Sequence, residues 1–353
     1  MNRRRAARKV SARLRYQGKG RVLLLKSALV FLLGFLLVGA GTAFGAEKTG
    51  LTQISFIPQW IPQAQFAGYY VAYEKGFYRR HHLQVKILRG GPQRPASQWL
   101  AQGRSNFGTL FLTDGIEKRA RGLKLINIAQ IVQRSALMLV AKKSSGITKP
   151  QDINGKRVGL WRHEFQLQPK AFFHKYHLQV REIPQSATMN LFLRGGVEVA
   201  SAMWYNEYHQ LLSAGLDPDE LITFLLADYG MNFPEDGIYC LEDMVKRHPQ
   251  TCRAFVAASI QGWKYAFAHP DEALDIVMQY VNAAKVATDR VHQKWMLARM
   301  RDIIFPPGWN LPLGTLRQKS YEQVATALKK DGLIRAIPKF SQFYFNCVAP
   351  HEE

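Results

Sequence analysis

Acid is missing from the start of this 353-residue chain: no Asp or Glu precedes Glu47, while ten Lys or Arg do. Cysteine is scarce, with only Cys240, Cys252 and Cys347. That low, odd count excludes a disulfide-built scaffold and leaves room for one internal bridge at most. None of the three lies beside the basic leader, which excludes a lipid-attachment cysteine there. Catalytic signatures are also absent: no G-x-S-x-G, H-E-x-x-H, P-loop or G-x-G-x-x-G occurs. Basic runs occur without an RNA- or DNA-binding motif, so a nucleic-acid partner is not expected.

What is present begins with an export signal. "MNRRRAARK" opens a basic region, "SALVFLLGFLLVGAG" (27–41) is an apolar run, and "TAFGAE" supplies small residues. This order reads as a secretory signal peptide over residues 1–46, cut after Gly45 or after Ala46. An uncleaved anchor is the alternative, disfavoured because the apolar run is shorter than a membrane span. Beyond residue 46, 38 cations face 26 acids, so a surplus of 12 is spread over the remaining chain. The runs at 79–82, 118–122, 142–146 and 246–247 read as solvated faces, suited to an anionic membrane or a docking partner. With 47% hydrophobic and 12% aromatic residues, the chain has the composition of a folded globular protein rather than a disordered one.

Strand and helix patterns alternate from residue 51. "LTQISFIP", "HLQVKILRGGP", "NFGTLFLT" and "KLINIAQIV" read as strands with helices between them. After "LMLVAKKSSGI" the order restarts with "KRVGLW", "LQVREIP", "EVASAMWY" and "ELITFLLA". "GFYRRHHLQVKIL" (76–88) resembles "AFFHKYHLQVREI" (171–183), which supports an internal repeat. Alternation predicts an α/β protein with parallel sheets in two lobes. Residues 47–137 form the first part of lobe 1, 138–232 form lobe 2, and 233–353 return to lobe 1 and end in helices.

Ligands of open α/β sheets sit beyond the carboxyl ends of the strands. The candidate walls are therefore "QWIPQAQF", "RGGPQ" and "FLTDG" in lobe 1, and "WRHEF" and "WYNEYH" in lobe 2. They contribute Trp60, Gln63, Gln65, Phe66, Gly91, Phe111, Trp161, Tyr205, Asn206 and Glu207, and Tyr69 follows on the first helix. Aromatic faces stack on planar ligands, and amides offer both donors and acceptors to a ring edge. An ionised Glu207 only accepts, which favours a ligand with N–H donors and repels sulfonate, nitrate or phosphate. The competing reading makes Glu207 a first-turn helix residue and the rings core. His174 and His177 are three apart but lack a third ligand, so a metal is not expected. Gly90-Gly91-Pro92 reads as a tight strand exit.

"WIPQAQFAGYYVAYEKGFYRRHHLQVKILRGGP", "LMLVAKKSSGITKPQDINGKRVGLW" and "AMWYNEY" resemble the NMT1/THI5-like, or SsuA/THI5-like, periplasmic binding proteins over most of residues 51–270. The resemblance implies a type II periplasmic binding protein fold, two α/β lobes with a ligand cleft between them. It implies a periplasmic component of an ABC importer that works as a monomer with permease and ATPase subunits and needs no cofactor. It also implies a thiamine pyrimidine precursor as ligand, with Trp60, Tyr205 and Glu207 holding the ring and Glu207 facing its amine. Riboflavin, a sulfonate or nitrate are alternative solutes, and a ligand-sensing module for a membrane receptor is an alternative role. Pyrimidine-phosphate synthases of the same fold carry a histidine near the start of the first helix and clustered cysteines. Phe66 stands where that histidine aligns, and Cys240 and Cys252 stand apart, so an enzyme is not expected.

Overall fold

The computed structural model describes residues 50–348, so the expected leader at 1–46 lies outside the described residues. The first sheet begins with β1 (Thr52–Ile57), α1 (Ala67–Glu74), a short α2 (Phe77–Arg80) and β2 (Leu83–Ile87). It continues through α3 (Ala96–Ala101), β3 (Phe107–Phe111), α4 (Leu112–Ala120) and β4 (Leu125–Gln130). The second sheet takes β5 (Leu137–Lys142), β6 (Arg157–Leu160), α5 (Leu167–Lys175), β7 (Arg181–Pro184), α6 (Asn190–Leu193), β8 (Val199–Met203), α7 (Glu207–Ser213) and β9 (Leu221–Leu225). The chain then crosses back as β10 (Asp236–Leu241). Six helices follow: α8 (Glu242–Arg247), α9 (Pro249–Ala268), α10 (Pro270–Ala283), α11 (Arg290–Ile304), α12 (Gln318–Lys330) and α13 (Phe340–Phe343).

The two sheets have one topology. Their strand orders are β2-β1-β3-β10-β4 and β7-β6-β8-β5-β9, so in each a strand entering from the other half of the chain sits fourth. That strand runs against its neighbours: β10 is antiparallel to β3 and β4, and β5 to β8 and β9. The sheets are therefore mixed, where strand–helix alternation predicts parallel ones. β10 escapes that pattern because Leu241 leads straight into α8 with no turn residue to mark a strand end. The repeat extends to backbone detail. His82 and His177, each just before a Leu-Gln-Val, both take the left-handed conformation, with φ of 58° and 53°. That conformation is uncommon outside glycine and here turns the chain from a helix into an edge strand in both lobes.

Burial follows the topology. β3, a central strand, is buried along its whole length, and so is β4 at one edge, where Tyr344 bridges Asn127 on its outer side, while the opposite edge strand β2 alternates. The long α9 closes over the first sheet, starting with Pro249, whose missing N–H costs nothing at that position. Phe255 of α9 stacks between Phe107 (4.3 Å) and Tyr78 (5.2 Å). Truncating so buried a ring typically costs about 3–5 kcal/mol. All three cysteines are free, buried thiols, so no internal bridge forms. Among the described residues no helix is long and apolar enough to cross a membrane.

Two chain segments connect the sheets, 131–136 and 226–235, and side chains tie them together. Ser135 N donates to Asn232 Oδ1 (2.8 Å), and Asn232 Nδ2 donates to the Gln133 carbonyl (3.1 Å). The Glu235 carboxyl accepts from Ala136 N (2.6 Å) and from Ser135 Oγ (3.2 Å).

Candidate functional site: a cleft between two sheets

A cavity of about 620 Å³ lies where the carboxyl ends of β1, β2 and β3 face those of β6, β7 and β8. Its size falls within the range of about 300–1,000 Å³ that holds drug-sized ligands. The first lobe supplies Trp60, Gln63 and Gln65 after β1, Gly91 after β2, and Phe111 at the end of β3. The second supplies Trp161 after β6, and Tyr205, Asn206 and Glu207 after β8. Nine of the residues singled out in the sequence thus share one cavity.

Phe66 and Tyr69 do not, which corrects the expectation for both. A 3-10 turn over Ala64–Phe66 leads into α1 and swings these two rings toward the first sheet. Phe66 is fully buried, and Tyr69 lies 4.7 Å from Phe56 and edge-on to Trp263 at 5.8 Å. The crowd of rings between 58 and 80 therefore divides, with Trp60 toward the cleft and Phe66, Tyr69, Tyr70 and Tyr78 in core.

Aromatic contacts cross the cleft. Phe111 of the first lobe meets Phe165 of the second edge-on at 5.3 Å, and Phe165 meets Trp161 edge-on at 5.8 Å. The Trp161 indole is anchored by donation from Nε1 to the Ser186 carbonyl (3.0 Å). Gly91, with φ of 136°, turns the chain after β2 with only the Ile61 side chain near the place a Cβ would take.

Glu207 is both a first-turn residue of α7 and part of the cavity wall. Its carboxyl accepts from Met203 N (3.0 Å) and from Asn206 Nδ2 (2.7 Å). Burial pushes it up to about 7, against the pull of those hydrogen bonds, so neutral pH does not hold it fully ionised. Asn206 cannot turn over freely: its Oδ1 accepts from Gln210 Nε2 (3.2 Å) and faces His292 Nε2 (2.9 Å). Tyr205 is buried at 3% exposure, and burial, with the charges of Glu235 and Asp236 nearby, holds its phenol well above the ordinary tyrosine value.

Gln59, Arg162 and Phe165, which fall in the wall segments named from the sequence without being singled out there, also line the cavity, and so does Gln185, which sequence reading missed. The same reading also missed Asp236 at the start of β10, to which Gln59 and Gln65 both donate from Nε2, Gln65 at 2.8 Å. Burial pushes Asp236 up to about 7 and Glu235 up to about 8. The adjacent acids in "NFPEDGIYCL", set in an apolar stretch of a basic chain, are the signal that marks them. His174 and His177 are exposed, and among the described residues no group of three ligating side chains could hold a metal.

Comparison with known proteins agrees with this architecture. The family described as "NMT1/THI5 like" matches residues 63–273. A riboflavin-binding protein, RibY, of Chloroflexus aurantiacus is 28% identical over 257 residues, 70% of this chain and 71% of that protein. A formylaminopyrimidine-binding protein of Halalkalibacterium halodurans is 22% identical over 302 residues, 83% of this chain and 89% of the relative. Among solved structures, the periplasmic aliphatic sulphonate binding protein SsuA of Escherichia coli superposes with a TM-score of 0.67. At 12% identity over 85% of this chain and 94% of SsuA, that likeness establishes the periplasmic binding protein fold. The family match spans more than half the sequence, including both walls of the cleft, and the chain belongs to the NMT1/THI5-like family.

Proposed function

We propose that this protein is the exported solute-binding component of an ABC importer, and that it takes a flat nitrogen heterocycle bearing N–H donors. The observation that carries the reading is Glu207, a buried acceptor set among rings at the mouth of a two-lobed cleft. Trp60 and Tyr205 stack on or flank the ring, and Glu207 accepts from its amine. A thiamine pyrimidine precursor, of the hydroxymethylpyrimidine or formylaminopyrimidine type, fits this chemistry, as does the likeness to a formylaminopyrimidine-binding protein. Binding closes the lobes about the crossings at 131–136 and 226–235, and the closed form docks on a permease that an ATPase subunit drives. The chain acts as a periplasmic monomer and catalyses no reaction of its own.

Riboflavin is the second reading, favoured by the volume of about 620 Å³, most of which one pyrimidine ring leaves unfilled, and by the 28% identity to RibY. Thermal melting separates the two. At about a hundredfold excess over its dissociation constant a specific ligand stabilises by roughly 2.7 kcal/mol, enough to raise the melt by several degrees. A rise with 4-amino-5-hydroxymethyl-2-methylpyrimidine supports the pyrimidine reading, and a rise with riboflavin alone replaces it. No rise with either overturns the heterocycle reading.

A further inference from the structure

Three glutamines stand on the first-lobe side of the cleft, and all three amides are oriented by one carboxyl group. Gln65 Nε2 donates to Asp236 Oδ2 (2.8 Å), and Gln59 Nε2 donates to Asp236 Oδ1. Gln63 Nε2 in turn donates to Gln65 Oε1 (2.6 Å). An ionised carboxyl offers only acceptors, so both glutamines that touch it must turn their NH₂ groups inward. The Gln65 oxygen is thereby set to receive the NH₂ group of Gln63, and the polarity passes one residue further. Gln59 and Gln63 line the cavity with one N–H each engaged behind them, which fixes the amide orientation and leaves the oxygen, with the second N–H, for a ligand. Gln65 is engaged at both ends. A wall of free glutamines could turn over to suit donors or acceptors alike, whereas this one is held with its oxygens turned away from Asp236.

The opposite wall has the same character. Glu207 takes one donor from Met203 and one from Asn206, and its remaining lone pairs are acceptors. Asn206 has its NH₂ group on Glu207 and its oxygen on Gln210 and His292. Both walls therefore present oxygen acceptors across the cleft, beside the Arg162 and Lys118 cations that also line it.

We propose that Asp236, which does not itself line the cavity, is the positioning residue that fixes ligand specificity, by holding Gln59 and Gln63 as acceptors toward a solute with hydrogen-bond donors on two edges. The inference rests on the cleft being the ligand site, and it names the ligand class more narrowly. A pyrimidine that carries both an amine and a hydroxymethyl group has a donor for each wall. A flavin ring edge, with two carbonyls flanking one N–H, satisfies them at one point only. Sulfonates and nitrate, which only accept, leave every wall oxygen unmatched.

The test compares 4-amino-5-hydroxymethyl-2-methylpyrimidine with its 4-methoxy counterpart, which keeps the ring and the hydroxymethyl group and loses the two amine donors. Dissociation constants are measured at about pH 8.5, where a carboxyl of this kind is ionised. Wild type is expected to prefer the amine by about tenfold or more. Asp236→Asn, nearly isosteric but able to donate, should lower that ratio several-fold while leaving the share due to Glu207, and Gln65→Met, which cuts the relay to Gln63 but leaves Gln59 on Asp236, should lower it by less. An unchanged ratio in both variants overturns the proposal. Side-chain amide signals of the ligand-free protein give a reading that needs no ligand. Asp236→Asn should move those of Gln59, Gln65 and also Gln63, which does not touch Asp236, and a stationary Gln63 signal overturns the relay. If wild type binds neither pyrimidine nor riboflavin, the functional reading falls, and the Gln63 signal still decides whether Asp236 sets the polarity of the wall.

Discussion

His209 and His292 meet Nδ1 to Nδ1 at 2.9 Å, joining α7 of the second lobe to α11. α11 belongs with the first lobe, since Gln293 accepts from Ala64 N (2.6 Å) in the turn that precedes α1. Beside the imidazoles, Trp295 Nε1 donates to the Trp204 carbonyl (3.0 Å), and Arg299 lies over both indoles at 4.8 and 4.7 Å. His292 Nε2 faces Asn206 Oδ1, which can only accept, so Nε2 carries the proton. A neutral His292 then accepts at Nδ1, and His209 donates to it. One chain of hydrogen bonds thus runs from an interlobe contact through Asn206 to Glu207 in the cavity.

That pair predicts a sensitivity to acid. Burial holds both imidazoles below the ordinary histidine value, and for His292 the neighbouring His209 adds to the effect. A depressed folded-state value means stability that is present above about pH 6.5, the unfolded value, and is lost as pH falls through the folded one. The urea midpoint should therefore drop between about pH 6.5 and 5 more steeply in wild type than in His292→Phe. The difference between the two proteins is the reading, because buried carboxyls titrate nearby with the opposite sign. Parallel curves would show that the imidazoles do not couple the lobes.

The carboxyls predict the reverse trend. Burial raises Glu235 to about 8 from an ordinary value near 4.5, so the folded state holds a proton that the unfolded state releases. A raised folded-state value means stability that is full at low pH and lost as pH rises through the folded value. Glu235→Gln keeps an oxygen for Ala136 N and removes the charge. It should match wild type near pH 5 and exceed it near pH 9 by an amount of the order of 2 kcal/mol. Denaturant titrations at the two pH values check this, and equal curves at high pH would place the Glu235 proton elsewhere.

For Glu207 the same raised value bears on the binding proposed for it. A ligand amine needs the ionised carboxylate, so affinity for an aminopyrimidine should climb between about pH 6 and 8. Glu207→Gln should weaken that ligand by about 1–3 kcal/mol at pH 8 and flatten the pH dependence. Calorimetric titration at several pH values measures both effects. An unchanged affinity would remove Glu207 from the site.

The parts of this fold legible in the sequence are those written locally. β1, β2, β3, β6 and β8 show as apolar runs between turn residues, and the rule that ligands sit beyond strand carboxyl ends then locates Trp60, Trp161 and Glu207. What the sequence conceals is pairing over distance. β10 is inserted between two strands more than a hundred residues upstream, and Gln65 and Asp236 are separated by 171 positions. No local period records either contact. Phe66 and Tyr69 were misassigned for a smaller reason: a 3-10 turn delays the start of α1 to Ala67, and the resulting rotation turns both rings into the core. Gln63 and Gln65 were legible as site residues, and Gln59 as part of a wall segment, but their orientation was not, because it depends on Asp236.

The contact between α1 and α9 should help hold those glutamines in place, an expectation that can be tested at two glycines. A Cβ on Gly68 would lie 2.3 Å from two atoms of the buried Trp263 ring. One on Gly262 would lie 2.0 Å from the Gly68 carbonyl oxygen and 2.7 Å from Ala72 Cβ. Alanine is the better helix former by about 1 kcal/mol, but overpacking costs about 1–3 kcal/mol or more where neighbours cannot yield. Trp263 is wedged between Tyr69 (5.8 Å) and Phe267 (5.4 Å), and a helix backbone moves only as a unit. Gly262→Ala, which strikes backbone, should therefore lose more stability than Gly68→Ala, whereas Gly50→Ala, with nothing within 4 Å, should be neutral. Because α1 continues the turn that carries Gln65, separating the helices also draws the glutamines away from Asp236. Urea midpoints and aminopyrimidine affinity should then fall together in Gly262→Ala, and a fall in stability with full affinity would show that the wall is held from the Asp236 side alone.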